Sequence, residues 1–556
     1  MTSRGIFLIP LVSMALISCS KHSGKDPLAK APGKFPESTG VSVGAKEIKN
    51  WFTRSPELDG AEGVNADKAI EELHLTHSKE IIVAVIDSGV DIQHEDLKDK
   101  IWTNTKEIAG NGIDDDHNGY IDDIHGWNYL GGYDSNGNPV HIGAEQLEVT
   151  RELVKMKKKK QELEEQGLEL SVKDQAYLLK LQTEVDEEVN GSKDTLKLIA
   201  DRLEILKTNY DVLKDIIGVE FDKMTNAIVQ ELKVSTSEEQ EAKNKILEVF
   251  AAGSPKDVAR YHVLQGRYQD QLDFYFNEDF HPRADIVGDN PEDFLDIGYG
   301  NNDVRGLDAD HGTHVAGIIG ASRNNSIGID GIAENVRIMS LRAVPNGDER
   351  DKDVALAIRY AADNGANIIN MSFGKNYSPH KHKVSEALLY AQSKGVLIFH
   401  AAGNESTDRD QESRYPEKKV FNEEGEVVGK VDSFLDIGAS SSFLTRELTA
   451  TFTNFGQTTV DIFAPGVNLL SSIPDNQYAV FSGTSMASPS AAGVAALVWS
   501  QKPELSAIEL KQLMMSKARL RHNLLVRLPS DNSQDVLFET LSITGGIADA
   551  YRMLAE

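Results

Sequence analysis

The stretch DHGTHVAG, Asp310 to Gly317, sets two histidines three residues apart, and on one helix they share a face. Such a pair suits two chemistries: joint ligation of a metal, or a proton relay in which one histidine accepts. Zinc needs a third ligand and, in the H-E-x-x-H spacing, a glutamate beside the pair. Here Gly312 and Thr313 stand between the histidines, and the chain has one cysteine. A proton acceptor needs instead a carboxylate to orient it and a nucleophile to serve. Asp87 ends the run EIIVAVID and is followed by Ser-Gly, so it stands at the carboxyl end of a buried strand, where open α/β sheets bind ligands. Ser485, in FSGTSMASPSAAGVAALVW, opens a helix of small residues just after Gly483. Backbone N–H groups and the helix dipole at that position can stabilise an oxyanion. Taken alone, Ser485 reads more simply as a helix cap. Asp, His and Ser in that chain order, each at an element end, favour the relay.

The elements that must position these residues follow a regular rhythm. After the aspartate strand come short apolar strands at Val336 to Leu341, Ile368 to Met371, Val396 to His400 and Phe434 to Ile437. Helical segments lie between them, DKDVALAIRYAADNG closing on Gly365 and VSEALLYAQSKG on Gly395. Alternating strand and helix predicts an α/β fold with a doubly wound, mostly parallel sheet. Asp310 as a cap would set His311 at the mouth of its helix and His314 one turn inside, beside Val315 and Ala316.

Residues 145–275 break the rhythm, with almost no strand signal and a density of Leu, Glu and Lys. Leu196, Ile199, Leu203, Leu206, Tyr210, Leu213 and Ile217 alternate spacings of three and four, the seam of a coiled coil. A weaker helix precedes it over 145–189, with a break at Asn190-Gly191. This block is expected to be a helical hairpin inserted into the α/β domain, its seam closed by the preceding helix or by a partner, including a second copy of the chain.

The stretches VAVIDSGVD, HGTHVAG and GTSMASP resemble, in that order, the three motifs of the subtilisin-like serine proteases, the subtilases. INMSFG, AAGNE and IFAPG extend the resemblance, which covers about 65–125 and 300–556. It implies a subtilisin-like fold and peptide-bond hydrolysis on protein or peptide substrates through an acyl-enzyme. Asp87 becomes the orienting acid, His311 the general base, Ser485 the nucleophile and Asn404 the oxyanion-hole side chain. Ser372, Phe373 and Gly374 would pair with the substrate backbone, and Ala401, Ala402 and Gly403 would line the pocket before the cleaved bond. The rival reading is a binding protein that keeps the fold without the chemistry. Intact Asp87, His311, Asn404 and Ser485 weigh against it.

NGIDDDHNGYIDDIHGWN places Asp114, Asp116, Asn118 and Asp122 at the first, third, fifth and ninth positions of a calcium loop, with Gly119 for the turn. His125 stands where a bidentate glutamate belongs, so a structural calcium ion and a solvated acidic turn both remain open. The N-terminus reads as an export signal over 1–18: Arg4, the apolar run GIFLIPLVSMALI, then LISCS, which resembles the bacterial lipobox. Acylation of Cys19, with residues 19–50 as a flexible tether, would hold the protein to a bacterial membrane on the exported side of the cell envelope. A catalytic region over 51–144 and 276–556 is expected to follow; the span from Cys19 to its start is too short for the folded inhibitory prodomain that the resemblance implies, so maturation is expected to differ from the family pattern. The formal charge of −29 would repel phosphate, which argues against nucleic acid.

Overall fold

The computed structural model describes residues 50–75, 79–251 and 254–555. Cys19, the leader and nearly all of the tether lie outside the described residues. The chain divides into two compact units: Val149–Glu278, and the remaining described residues, 50–148 and 279–555.

The larger unit is built on a nine-stranded sheet. In chain order its strands are β1 (Ile81–Asp87), β2 (Gly126–Asn128), β3 (Val336–Arg342), β4 (Ile368–Met371), β5 (Leu397–Ala401), β6 (Phe434–Ser440), β7 (Ile462–Pro465), β8 (Arg519–Leu520) and β9 (Gly546–Ile547). Across the sheet they run β8-β9-β7-β6-β5-β4-β1-β3-β2, parallel except for the β8–β9 pair. β1 lies between β3 and β4, so the chain changes direction across the sheet at this strand. That reversal opens a crevice at the carboxyl ends of the strands, and Asp87 stands there.

Both faces of β1 are apolar because both are covered. Ile81, Val83 and Val85 point into one core cluster, Ala84 and Ile86 into the other. The helices α1 (Asp310–Gly320) and α4 (Thr484–Gln501) fill the first cluster, while α2 (Asp351–Asp363) and α3 (Lys381–Ser393) fill the second. α2 and α3 stop as their sequences suggest: Gly365 and Gly395 follow them with φ of 79° and 82°, a left-handed conformation that a β-carbon would strain. α4 is buried along its whole length from Thr484 to Ser500, and its alanines and Gly493 let it lie close to its neighbours. The short strands β2, β7, β8 and β9 escape a periodicity reading, since two to four residues carry too little pattern.

The smaller unit moves the break in the expected hairpin: helix Glu148–Glu165 gives way across residues 166–171 to a second helix, and Lys159 of the first pairs with Asp174 of the second. This second helix, Val172–Ile217, runs straight through Asn190-Gly191 for 46 residues. A single interior glycine costs about 1 kcal/mol, less than an interruption between the buried Val185 and Ile199 would forfeit. The seam residues Ile199, Leu206, Leu213 and Ile217 are buried, but not against a second long helix. They share a core with Ile246 and Phe250, at the end of Ser237–Val249, and with Tyr261 and Leu264 of Val258–Asp270. The seam therefore closes within its own chain as a small helical bundle. The unit's ends also meet, for Thr150 Oγ1 donates to Tyr275 O at 2.8 Å. Among the described residues no helix is long and apolar enough to cross a membrane.

Candidate active site

Asp87 and His311 are brought together from positions 224 residues apart: Asp87 Oδ1 lies 2.7 Å from His311 Nδ1, and both side chains are buried. The strand end holds the carboxylate in place. Ser88 N–H donates to Asp87 Oδ1 at 2.8 Å, and the next carbonyl, Ser88 O, accepts from the buried guanidinium of Arg342 at 2.9 Å. A carboxylate facing Nδ1 fixes the proton there and leaves the lone pair on Nε2. Burial alone pulls the His311 pKa down, but the charge and hydrogen bond of Asp87 outweigh it and hold it above the usual histidine value. His311 is not at an exposed mouth as expected; it is 5% exposed, and the cap of α1 is Ala309 rather than Asp310.

His314 is wholly buried and differently used. Its ring stacks on Phe481 with centroids 4.3 Å apart, and Nε2 lies 3.1 Å from both Leu469 O and Ala479 O. Two carbonyl acceptors require Nε2–H, and Nδ1 has no partner among the described residues. Burial, with the neighbouring His311 charge, drives its pKa to about 3, so the ring is neutral.

Ser485 occupies the first turn of α4, the helix that packs against α1. Pro489, four residues on, has no N–H to offer Ser485 O, so the helix would leave that buried carbonyl unsatisfied. The Ser372 hydroxyl supplies the missing donor at 2.9 Å, and the Ser485 hydroxyl donates in return to Ser372 O at 3.0 Å. Asn370 at the end of β4 completes the tie: its amide donates to Ser372 Oγ at 2.9 Å and accepts from Ser488 Oγ at 2.7 Å. The sequence signal for Asn370 is an amide in an otherwise apolar buried strand, Ile368-Ile369-Asn370-Met371.

Asn404 is oriented by the residue before the serine. Its Oδ1 accepts from Thr484 N–H at 2.8 Å and from Thr484 Oγ1 at 2.9 Å, which fixes the amide with Nδ2 turned away. Neither Asn404 Nδ2 nor the Ser485 N–H has an acceptor among the described residues. The flanking segments are tied to the same centre. Phe373 O faces Nε2 of the buried His400, at 3.0 Å, whose Nδ1 lies 2.7 Å from Asp436. Ala401 ends β5, and Ala402 O accepts from Arg409 and Asn454. Gly403, with φ of 109°, donates its N–H to Thr484 Oγ1 at 3.1 Å.

A family model described as the subtilase family matches residues 78–539. The chain belongs to the subtilases. The thermophilic serine proteinase of Bacillus sp. (strain AK1) is 41% identical over 222 residues, which is 40% of this chain and 49% of that protein. Subtilisin DY of Bacillus licheniformis is 34% identical over 210 residues, 37% of this chain and 70% of that one. Among solved structures, a cold adapted subtilisin-like serine proteinase is 30% identical over 45% of this chain and 78% of its own, with a TM-score of 0.35. The chain thus spans about half the length of the thermophilic relative.

The acidic loop of this subtilase gathers a different donor set from the one its spacing suggests. Glu107, Asp114 and Asp116 each bring one carboxylate oxygen within 4.8 Å of the others. Asp122 is not part of that group; its carboxylate accepts from the N–H groups of Gly110, Asn111 and Gly112. Asn118 Oδ1 accepts from Tyr120 N–H and its Nδ2 donates to Asp123, and the three grouped carboxylates accept backbone N–H bonds too, Asp114 from Asn118 and Gly119, Asp116 from Asn118, and Glu107 from Asp116 and Asp122. Glu107 escaped the motif because it precedes the loop and is carried in by the fold.

Proposed function

We propose that this protein is a serine endopeptidase working through Ser485, His311 and Asp87. The observation that carries the reading is the buried 2.7 Å contact between Asp87 and His311, which prepares Nε2 as a base. For attack, the Ser485 hydroxyl leaves Ser372 O and passes its proton to His311 Nε2 as Oγ bonds to the substrate carbonyl carbon. The carbonyl oxygen takes the negative charge, held by Asn404 Nδ2 and Ser485 N–H, the two donors without an acceptor. The C–N bond then breaks, the amine leaves with the proton from His311, and an acyl ester remains on Ser485. Water, deprotonated by the same base, releases the acid and restores the serine. Asp87 stabilises the imidazolium in both halves.

Three carboxylate oxygens from Glu107, Asp114 and Asp116 are hard donors of the kind calcium takes, and they would hold it as a structural ion outside the reaction. Acylation of Cys19 would place the enzyme on a membrane of the bacterial envelope, and Cys19→Ser would then release it from the membrane fraction.

The deciding test is labelling with a fluorophosphonate followed by peptide mapping. We expect the label on Ser485 and its loss, together with peptide hydrolysis, in Ser485→Ala. A folded Ser485→Ala protein that still hydrolyses peptides contradicts the assignment, and an unlabelled wild type supports the non-catalytic rival.

A further inference from the structure

Gly374 and Gly403 flank the centre just described, one following the Ser372 that ties to Ser485 and the other preceding Asn404. Neither has a side chain; Arg414 lies beside both, while Asn454 and Glu405 come closer still to Gly403 and Tyr415 O is as close to Gly374. A β-carbon on Gly374 would lie 3.1 Å from Arg414 Nε, and one on Gly403 would lie 2.9 Å from Arg414 Cδ. The guanidinium is fixed by Nη2 donating to Gly374 O at 2.7 Å, by Nη1 donating to Asn376 Oδ1 at 3.2 Å, and by Glu405 Oε1 at 2.9 Å from Nη1. Of the five N–H groups of an arginine, Nε–H and one on Nη2 are left without an acceptor among the described residues. The head is reachable, with 13% of the side chain exposed, and Glu405 is at 28%.

The carboxylates around this head are already committed. Arg409, buried beneath, donates to Ala402 O and Arg414 O, and its charge acts on the buried carboxylate of Asp436. Glu405 is also shared, its Oε2 accepting from Asn454 at 2.7 Å. The other carboxylates nearby are engaged: Asp436 faces His400 and Lys418, and Asp410 accepts from Thr458 and Thr459. Arg414 therefore has only the shared Glu405 as a carboxylate partner, and its spare donors suit a carboxylate better than any other side chain.

We infer that this pocket selects substrates with an acidic side chain directly before the cleaved bond, and that Arg414 is the residue that reads it. The inference rests on the peptidase reading above. A glutamate that reaches the head of Arg414 takes the free N–H groups, while a lysine there meets the guanidinium and has only the shared Glu405 to pair with.

The test uses peptide p-nitroanilides that differ only in the residue before the cleaved bond: Glu, its isostere Gln, Lys and Phe. They are assayed with the wild type, Arg414→Gln, Arg414→Lys and Glu405→Gln, and active sites are counted by fluorophosphonate labelling. We expect the wild type to favour Glu over Gln by about tenfold or more in kcat/KM. Arg414→Gln should bring that ratio to one or below, Arg414→Lys should keep an intermediate value, and Glu405→Gln should raise it. Since the ratio is internal to each variant, partial loss of folded enzyme cancels. A wild-type Glu-to-Gln ratio at or below one, a preference for Lys over Gln, or a ratio untouched in folded Arg414→Gln overturns the inference. Labelling of Ser485 without cleavage of any of these peptides overturns the pocket assignment alone, whereas no labelling and no cleavage overturns the peptidase reading beneath it.

Discussion

Two histidines one helical turn apart end up with opposite electrostatics because their partners differ. His311 faces a carboxylate and is held above the ordinary value of about 6.5; His314 has no carboxylate beside it, and burial with the neighbouring His311 charge takes it to about 3 against the opposing pull of its two carbonyl partners. The consequences have opposite signs. A base must be neutral, so kcat/KM should be lost as pH falls through the raised His311 pKa, with the acid limb above about 6.5. Asp87→Asn should reduce kcat/KM by about 10⁴-fold by removing the carboxylate that fixes the tautomer. A pH–rate profile of kcat/KM checks both, and an acid limb well below 6.5 in the wild type contradicts the coupling. His314 acts on stability. Its folded pKa is depressed, so the unfolded chain takes up the proton first. The stabilisation is present above about 6.5 and is lost as pH falls from there toward about 3. His314→Gln keeps an N–H donor for the two carbonyls without titrating, so it should lose less stability than the wild type between pH 7 and pH 4. Equal losses in urea melts at the two pH values would show that His314 is not the group titrating.

At the scale of elements, the serine is set by a defect in its own helix. Pro489 removes the donor that Ser485 O requires, and β4 supplies a substitute through Ser372, braced by Asn370 and Ser488. The first turn of α4 is thereby pinned to a neighbouring strand end. Ser372→Ala leaves the Ser485 carbonyl buried without a donor and should cost about 1–3 kcal/mol of stability. It should also lower kcat more than it raises KM, because the nucleophile loses its brace. Denaturation midpoints and steady-state kinetics measure the two effects, and a variant indistinguishable from the wild type in both would show that the tie is idle.

At the scale of the whole molecule, the catalytic candidates all belong to the larger unit, and the smaller one has its own core. Its ends meet through Thr150 and Tyr275, so a short Gly/Ser linker can replace 149–278. Loop closure is tolerant of length. Turnover of a small peptide ester should survive that replacement within about tenfold; its loss in a folded variant would show that the smaller unit helps to build the site. Calcium acts on the larger unit. If Glu107, Asp114 and Asp116 hold an ion, calcium should raise the melting midpoint over chelator, and Glu107→Gln should reduce that difference. Identical midpoints for the wild type in both conditions refute the site.

The local rules of the chain were enough for the strands and helices around Asp87, Ile368 to Met371 and α2, because buried parallel strands are apolar on both faces and glycines mark where helices must stop. Asp87, His311, Asn404 and Ser485 were named through the resemblance of their contiguous motifs to those of the subtilases. The partners of the helical seam were beyond the local rules. A spacing of three and four says that one face must be buried, yet it is equally satisfied by one long helix, two short ones or a second chain, and the choice depends on contacts distant in sequence. The acidic loop shows the same limit. Alternating carboxylates announce a cluster, but backbone N–H groups compete for each of them, and Asp122 was taken by Gly110 to Gly112 while Glu107 arrived from outside the motif. Arg414 and Arg342 are legible only in three dimensions: an arginine in a sequence is a solvated charge until the fold places glycines and carbonyls around its head.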